Sequence, residues 1–163
     1  MSDFHFYEPH LGHGLPHDPF KALVAPRPIG WISTVDANGR VNLAPYSYFN
    51  AFGDNPPIVG FSSAGRKDTQ RNIEVTGEFV ANLATKKHAH AMNWSSAVVP
   101  ADVDEMQLAM LRPAPSQVVK APRCGRSRGA RMQAPLDAST QRFRWPAHRQ
   151  HANHRPSGWN PHR

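Results

Sequence analysis

Between residues 29 and 83 the apolar positions fall into short β-branched and aromatic runs, broken by clusters of Gly, Pro, Asn and Asp, a pattern that predicts strands. Pro26-Arg27-Pro28 fixes an extended lead-in, because each Pro pins φ and pushes the residue before it out of the α region. A first strand follows over 29–35. Asp36-Ala37-Asn38-Gly39 then separates it from Arg40-Val41-Asn42-Leu43-Ala44, and Asn-Gly between two such runs predicts a hairpin. Residues 42–50 read as one polar and aromatic strand, with aromatic residues at alternate places, that ends in a turn over 53–57. Ile58-Val59-Gly60-Phe61 is a further buried strand running out into Ser62-Ser63. Residues 67–73 open a helix with Asp68 or Thr69 as N-cap and Gly77 as its stop, and 78–83 is the next strand.

Outside that block the periodicity fades. Residues 1–19 are rich in His, Pro and Gly and predict an irregular arm, with a short turn of helix over 20–24. Residues 86–110 predict helix and loop, Asp102-Val103-Asp104-Glu105 being acidic enough to open a helix by complementing its dipole. Strand following strand with one or two helices predicts a mainly β, α+β fold built as an antiparallel barrel. The chain divides into the arm 1–19, a body 20–122 and a tail 123–163.

Charge sharpens that last boundary. Residues 1–120 hold ten Lys+Arg against eleven Asp+Glu, whereas 121–163 hold nine Arg, no Lys and the single acid Asp137. The whole formal charge of +7 therefore sits past residue 120, in a stretch with one Leu, no Ile, no Val and five Pro. Such a stretch buries too little apolar surface to offset its ordering entropy, so it is expected to be disordered and to supply no strands. One Cys, Cys124, excludes an intrachain disulfide, and no apolar run reaches membrane-spanning length, so a soluble, cytoplasmic protein is expected. The ten His form no metal-ligand spacing with Cys, and no metal is expected.

Two segments carry candidate chemistry. In residues 42–50, backbone amides, Ser47 and Asn50 alternate with Tyr46, Tyr48 and Phe49, a strand able to bond the edge of a flat heterocycle and touch its faces. In Ser62-Ser63-Ala64-Gly65-Arg66-Lys67-Asp68-Thr69, small residues and two cations lead into a helix start, a place where free amides and positive charge suit a phosphate. An aromatic strand is more often core and a Ser-rich loop more often only a loop. Together they suggest a phosphorylated planar cofactor.

Residues 26–85 resemble the flavin reductase-like domain of the FMN-binding split-barrel proteins. The resemblance rests on Pro26-Arg27-Pro28-Ile29-Gly30-Trp31, Asn42-Leu43-Ala44-Pro45-Tyr46-Ser47, Asn55-Pro56-Pro57, Lys67-Asp68-Thr69 with Arg71-Asn72, and Thr76-Gly77-Glu78-Phe79-Val80-Ala81-Asn82-Leu83, all in the family's order. It implies a split β-barrel, incomplete in its C-terminal half, that binds FMN, takes NAD(P)H as co-substrate and passes hydride to flavin. It also implies a homodimer with flavin near the subunit interface, and reduced flavin used in place or handed to a partner monooxygenase. Ala44, Pro45, Tyr46, Ser47, Phe49 and Asn50 would line the isoalloxazine, and Ser62, Ser63, Lys67, Asp68 and Thr69 would hold the phosphate. No catalytic side chain is implied, since the cofactor carries the redox chemistry.

Past Pro122 the resemblance calls for further strands ending in Leu-Glu-Cys. Reading the codons of this chain one base later permits a Val- and Ala-rich stretch and forces a Cys from Met132-Gln133, so the tail reads as a frameshift at or near Arg123. Two other readings stand beside the enzyme: a non-catalytic flavin- or nucleotide-binding protein, and a basic tail, with Phe143, Trp145 and Trp159 among its Arg residues, that binds a polyanion such as nucleic acid.

Overall fold

The computed structural model describes residues 4–125 and, for the backbone, 129–133 and 142–144. A short helix, α1 (Pro19–Leu23), is capped by Asp18, whose carboxylate accepts from the Phe20 amide at 3.0 Å. Next come β1 (Gly30–Val35), β2 (Val41–Tyr46), β3 (Phe49–Asp54) and β4 (Pro57–Phe61), then α2 (Asp68–Thr76) and β5 (Glu78–Leu83). Two small helices, α3 (Ala89–Trp94) and α4 (Glu105–Leu108), precede the short pair β6 (Pro113–Ala114) and β7 (Arg123–Cys124). The last strands are β8 (Gly129–Gln133) and β9 (Arg142–Arg144). The strands form sheets ordered β2-β1-β5-β8, β3-β4-β9 and β6-β7, every pairing antiparallel.

The β1–β2 hairpin forms as expected. Asp36 accepts from the amides of Asn38 at 2.7 Å and Arg40 at 2.8 Å, and Gly39 takes the left-handed φ of +82° that the turn demands. Those amide bonds, Arg40's first, hold the Asp36 carboxyl below its usual range. β1 is buried along its whole length, and Trp31, Ile32, Leu43, Phe79 and Val80 are sealed from solvent. One cluster packs Ile32, Tyr46, Phe61, Ile73, Phe79 and Ala81 between the larger sheet and α2. A second joins Trp31, Leu43, Met106 and Cys124.

Three expectations are corrected. Residues 42–50 do not form one strand: the chain breaks at Ser47-Tyr48, so β2 lies in the four-stranded sheet and β3 in the three-stranded one. Alternation along a strand carries no signal of a change of sheet. The N-cap of α2 is Lys67, with no side-chain cap bond, because Asp68 pairs with Arg71 and Thr69 turns inward to Asn42. Finally, the region past Pro122 does supply strands: β8 pairs with β5 and β9 with β4. A ladder is made by backbone N–H and C=O groups, which Arg, Gly and Gln carry as well as Val does, and neither segment contains Pro. The remaining residues of the tail, on which the expected disorder also falls, lie outside the described residues.

The join into that region is well anchored. Asn82 donates to Trp31 O and Ser33 Oγ, both at 3.1 Å, and accepts from Cys124 N at 2.8 Å, while Ser33 Oγ donates to Pro122 O at 2.5 Å. Burial pushes the Cys124 thiol up to about 12, so it stays a protonated core side chain. No described helix is long and apolar enough to cross a membrane.

Candidate functional site

A cavity of about 1000 Å³ opens between the α1–β1 connection, the β2–β3 break, β4 and the loop that leads into α2. Its apolar and aromatic wall includes Tyr48, Phe49, Phe52 and Ile58, and its polar groups include Ser47, Asn50, Ser62, Ser63 and Gln70. Gly30 lets this wall form: a Cβ there would stand 2.5–2.9 Å from Phe49, so only Gly allows that ring to sit against β1. Ser62 is tied to the same wall by its amide, which donates to Tyr48 O at 2.9 Å. Ser63 Oγ donates to Gly65 O at 2.9 Å, and Gly65 has φ +80°, which bends the loop toward the first turn of α2.

Of the residues expected from sequence, Ser47, Phe49, Asn50, Ser62 and Ser63 line the cavity together; Ala44, Pro45, Tyr46, Lys67, Asp68 and Thr69 do not. Tyr46 points into the core, its ring 4.6 Å from that of Phe61. Its hydroxyl is buried without a hydrogen bond, facing the side chains of Thr69 and Ser63, and burial raises the phenol above its usual range. Thr69 is sealed within a polar network: Asn42 Nδ2 donates to Thr69 Oγ1 at 2.8 Å, and Asn72 Nδ2 donates to Thr34 Oγ1 at 3.1 Å. This network clamps the first turn of α2 to β1 and β2. Lys67 is exposed at the N-cap.

Sequence reasoning missed Arg27, Pro28, Ile58 and Gln70 as lining residues, while Tyr48, read as part of the ring-contacting strand, lines the cavity too. Arg27 is the only charged residue among the described residues that line the cavity, and its guanidinium lies 5.4 Å from the centre of the Tyr48 ring. A lone cation held between two prolines was the available signal, and it was read only as part of a lead-in. Aromatic and aliphatic side chains on one wall and hydroxyl and amide groups at the other end give the cavity both apolar and hydrogen-bonding surface. Gln70 and Ser63 bring that end of the cavity next to the helix start.

The comparisons agree with this geometry. The model of the flavin reductase like domain matches residues 23–144, past the 122 to which the sequence resemblance was carried. An uncharacterised protein of Aquifex aeolicus (strain VF5) is 42% identical over 106 residues, 62% of this chain and 54% of that protein. The chain spans about half the length of the curated relatives it matches. Among solved structures, nitrilotriacetate monooxygenase component B from Bacillus cereus superposes with a TM-score of 0.72 at 27% identity, covering 88% of this chain and 77% of that one. The 2-nitrobenzoate 2-nitroreductase of Pseudomonas fluorescens superposes with a TM-score of 0.65 at 28% identity, covering 74% and 61%. With a family model across three quarters of its length, this chain belongs to the flavin reductase-like domain family, a family of flavin-related oxidoreductases with the split-barrel fold.

Proposed function

We propose that the protein binds FMN in the cavity and works as an NAD(P)H-dependent flavin oxidoreductase. The observation that carries this reading is a cavity of about 1000 Å³ with an aromatic wall, no acid among its described lining residues and a Ser-rich loop beside a helix start without a side-chain cap. Phe49, Tyr48 and Ile58 supply apolar contact to the ring faces, while Ser47 and Asn50 offer edge hydrogen bonds. Asn50 Oδ1 accepts from the Ala51 amide at 2.9 Å, which leaves the Nδ2 donors for a ligand carbonyl or ring nitrogen. When bound, the flavin supplies the redox chemistry by accepting a hydride from a reduced nicotinamide; the chain supplies binding, orientation and donors. The exposed β3 wall, with Phe52 67% exposed, supports a homodimer that covers this side of the cavity. The likeness to a monooxygenase component B supports an oxygenase partner for the reduced flavin.

Titration of the purified protein with FMN tests the reading. Saturable binding with a flavin spectrum and flavin-dependent NAD(P)H oxidation are expected; no binding overturns it, and binding without nicotinamide turnover leaves a flavin-binding protein instead. Lys67→Ala removes one charge-assisted contact of about 1.5–3 kcal/mol, so FMN affinity falls about tenfold to a hundredfold. Riboflavin, which has no phosphate, keeps its affinity. Equal losses for both ligands would place Lys67 in folding rather than recognition.

A further inference from the structure

We propose that Arg27 forms a second oxyanion site in the cavity, distinct from the Ser62-Ser63 loop, and that it takes a two-oxygen anion, a carboxylate or phosphate, of the molecule that exchanges electrons with the flavin. The guanidinium offers five N–H donors in a fixed plane. Nη1 spends its donors on the last carbonyls of α1, Lys21 O at 2.8 Å and Val24 O at 2.5 Å. The Tyr48 ring beneath the guanidinium carbon, 5.4 Å away, fixes the rest of the plane. What remains is the side-on edge made by Nε and Nη2. Nε is buried and has no hydrogen-bond partner.

Among the described residues no acid pairs with that edge. The ion pairs among the described residues are His10–Glu8, Arg40–Asp36, Arg66–Glu74 and Arg71–Asp68, and none includes Arg27. Among the described lining residues there is no acid, and Arg27 is the one charged side chain. If Arg27 served only to cap α1, the Nη1 bonds would be the whole of its task, and a Lys ammonium would do as well. A planar fork whose Nε has no partner in the protein, on a residue that lines the cavity, is the arrangement that receives carboxylate or phosphate through two parallel bonds once a small side-chain shift uncovers it. The identity of the electron-exchanging molecule rests on the flavin reading above; the oxyanion site itself does not.

The test uses the 163-residue protein with Arg27→Lys, which keeps the charge and the reach to the α1 carbonyls but loses the fork. Inorganic pyrophosphate is the first probe, read as thermal stabilisation of the flavin-free protein. A saturable shift that survives Lys67→Ala and weakens by about tenfold or more in Arg27→Lys supports the site. The second arm uses FMN-loaded protein. A KM for NAD(P)H raised about tenfold or more with kcat kept identifies the nicotinamide nucleotide's phosphates as the anion. The same rise for a carboxylate-bearing quinone, absent for that quinone without its carboxylate, identifies the acceptor instead. The proposal is overturned if Arg27→Lys lowers FMN affinity while riboflavin affinity holds, which assigns Arg27 to the flavin phosphate. It is also overturned if every constant and the pyrophosphate shift stay unchanged, which leaves a helix cap. Should the wild-type protein bind no flavin, the function proposed above fails, yet the pyrophosphate arm still decides the site.

Discussion

Replacing Tyr46 with Phe should make the flavin-free protein more stable, because the hydroxyl it deletes is buried without a hydrogen bond. The ring itself is worth keeping: Tyr46 is 6% exposed, packs 4.6 Å from Phe61 and shares its cluster with Ile32, Ile73 and Phe79. Its nearest polar side chains are each already engaged once, Ser63 Oγ donating to Gly65 O and Thr69 Oγ1 accepting from Asn42, and neither reaches the phenol with hydrogen-bond geometry. A buried hydroxyl left unpaired costs about 1–3 kcal/mol. The void left by one oxygen is about one probe sphere, roughly 10–15 Å³, and at about 24 cal/mol per Å³ it returns only about 0.2–0.4 kcal/mol of that. The net gain is about 1–2 kcal/mol, a rise in Tm of roughly 2–8 °C for a chain of this size. Alkaline pH gives an independent reading. Burial raises the native phenol pKa, so the unfolded chain ionises first; stability is fully present below about pH 10 and is lost as pH climbs through the native value. Tyr46→Phe removes that part of the slope. Thermal melts by circular dichroism at pH 7 and from pH 9 to 11 measure both effects, and a Tm that falls at pH 7 would refute the reasoning.

Glu105 is 8% exposed and accepts from Leu43 N at 3.1 Å, and burial, with Asp68 and Asp104 adding, raises its carboxyl pKa. Glu105→Gln should therefore stabilise at pH 7, with the gain vanishing below about pH 4, where the native and unfolded carboxyls are both protonated; melts across pH 3–8 check the sign. Gly30→Ala should cost about 1–3 kcal/mol and weaken FMN and riboflavin alike, since its Cβ drives into Phe49; denaturant unfolding and ligand titration measure the two effects. Resequencing across the codons for residues 120–133 is expected to show one base gained or lost near Arg123, and an unchanged read would make the tail an authentic element.

Legibility followed the range of the forces. The hairpin at Asp36 to Gly39 was readable because its turn chemistry is local, and so was the stop of α2, where Gly77 takes φ +69° and donates to Ile73 O. The cap of α2 was not, because two long-range choices overrode propensity: Thr69 is drawn to Asn42 and Asp68 to Arg71. The break between β2 and β3 depends on which sheet each half joins, which alternation cannot encode. β8 and β9 are ladders on the edges of β5 and β4, and backbone pairing leaves no pattern in side chains. At the site, Ser47, Phe49, Asn50, Ser62 and Ser63 were found from residue type and order. Arg27 needed the fold, since only the cavity shows that no acid stands beside it among the described lining residues.

The placement of charge, rather than its total, is what the site uses. The net +7 of the chain arises entirely past residue 120, yet the described cavity owes its sign to one residue from the balanced body. Acids gather on the inner side of α2 and α4, where Asp68 and Asp104 both act on Glu105. Asp68 sits in the first turn of α2, where alone it would oppose a bound phosphate, but its ion pair with Arg71 offsets that charge. The sign at the helix start then falls to Lys67 and the free amides, and the sign of the α1 wall falls to Arg27. Two cations on separate segments, Arg27 in the cavity lining and Lys67 exposed at the helix start beyond Ser63, would suit two anionic molecules that must meet, as an electron donor and a flavin do under the function proposed above.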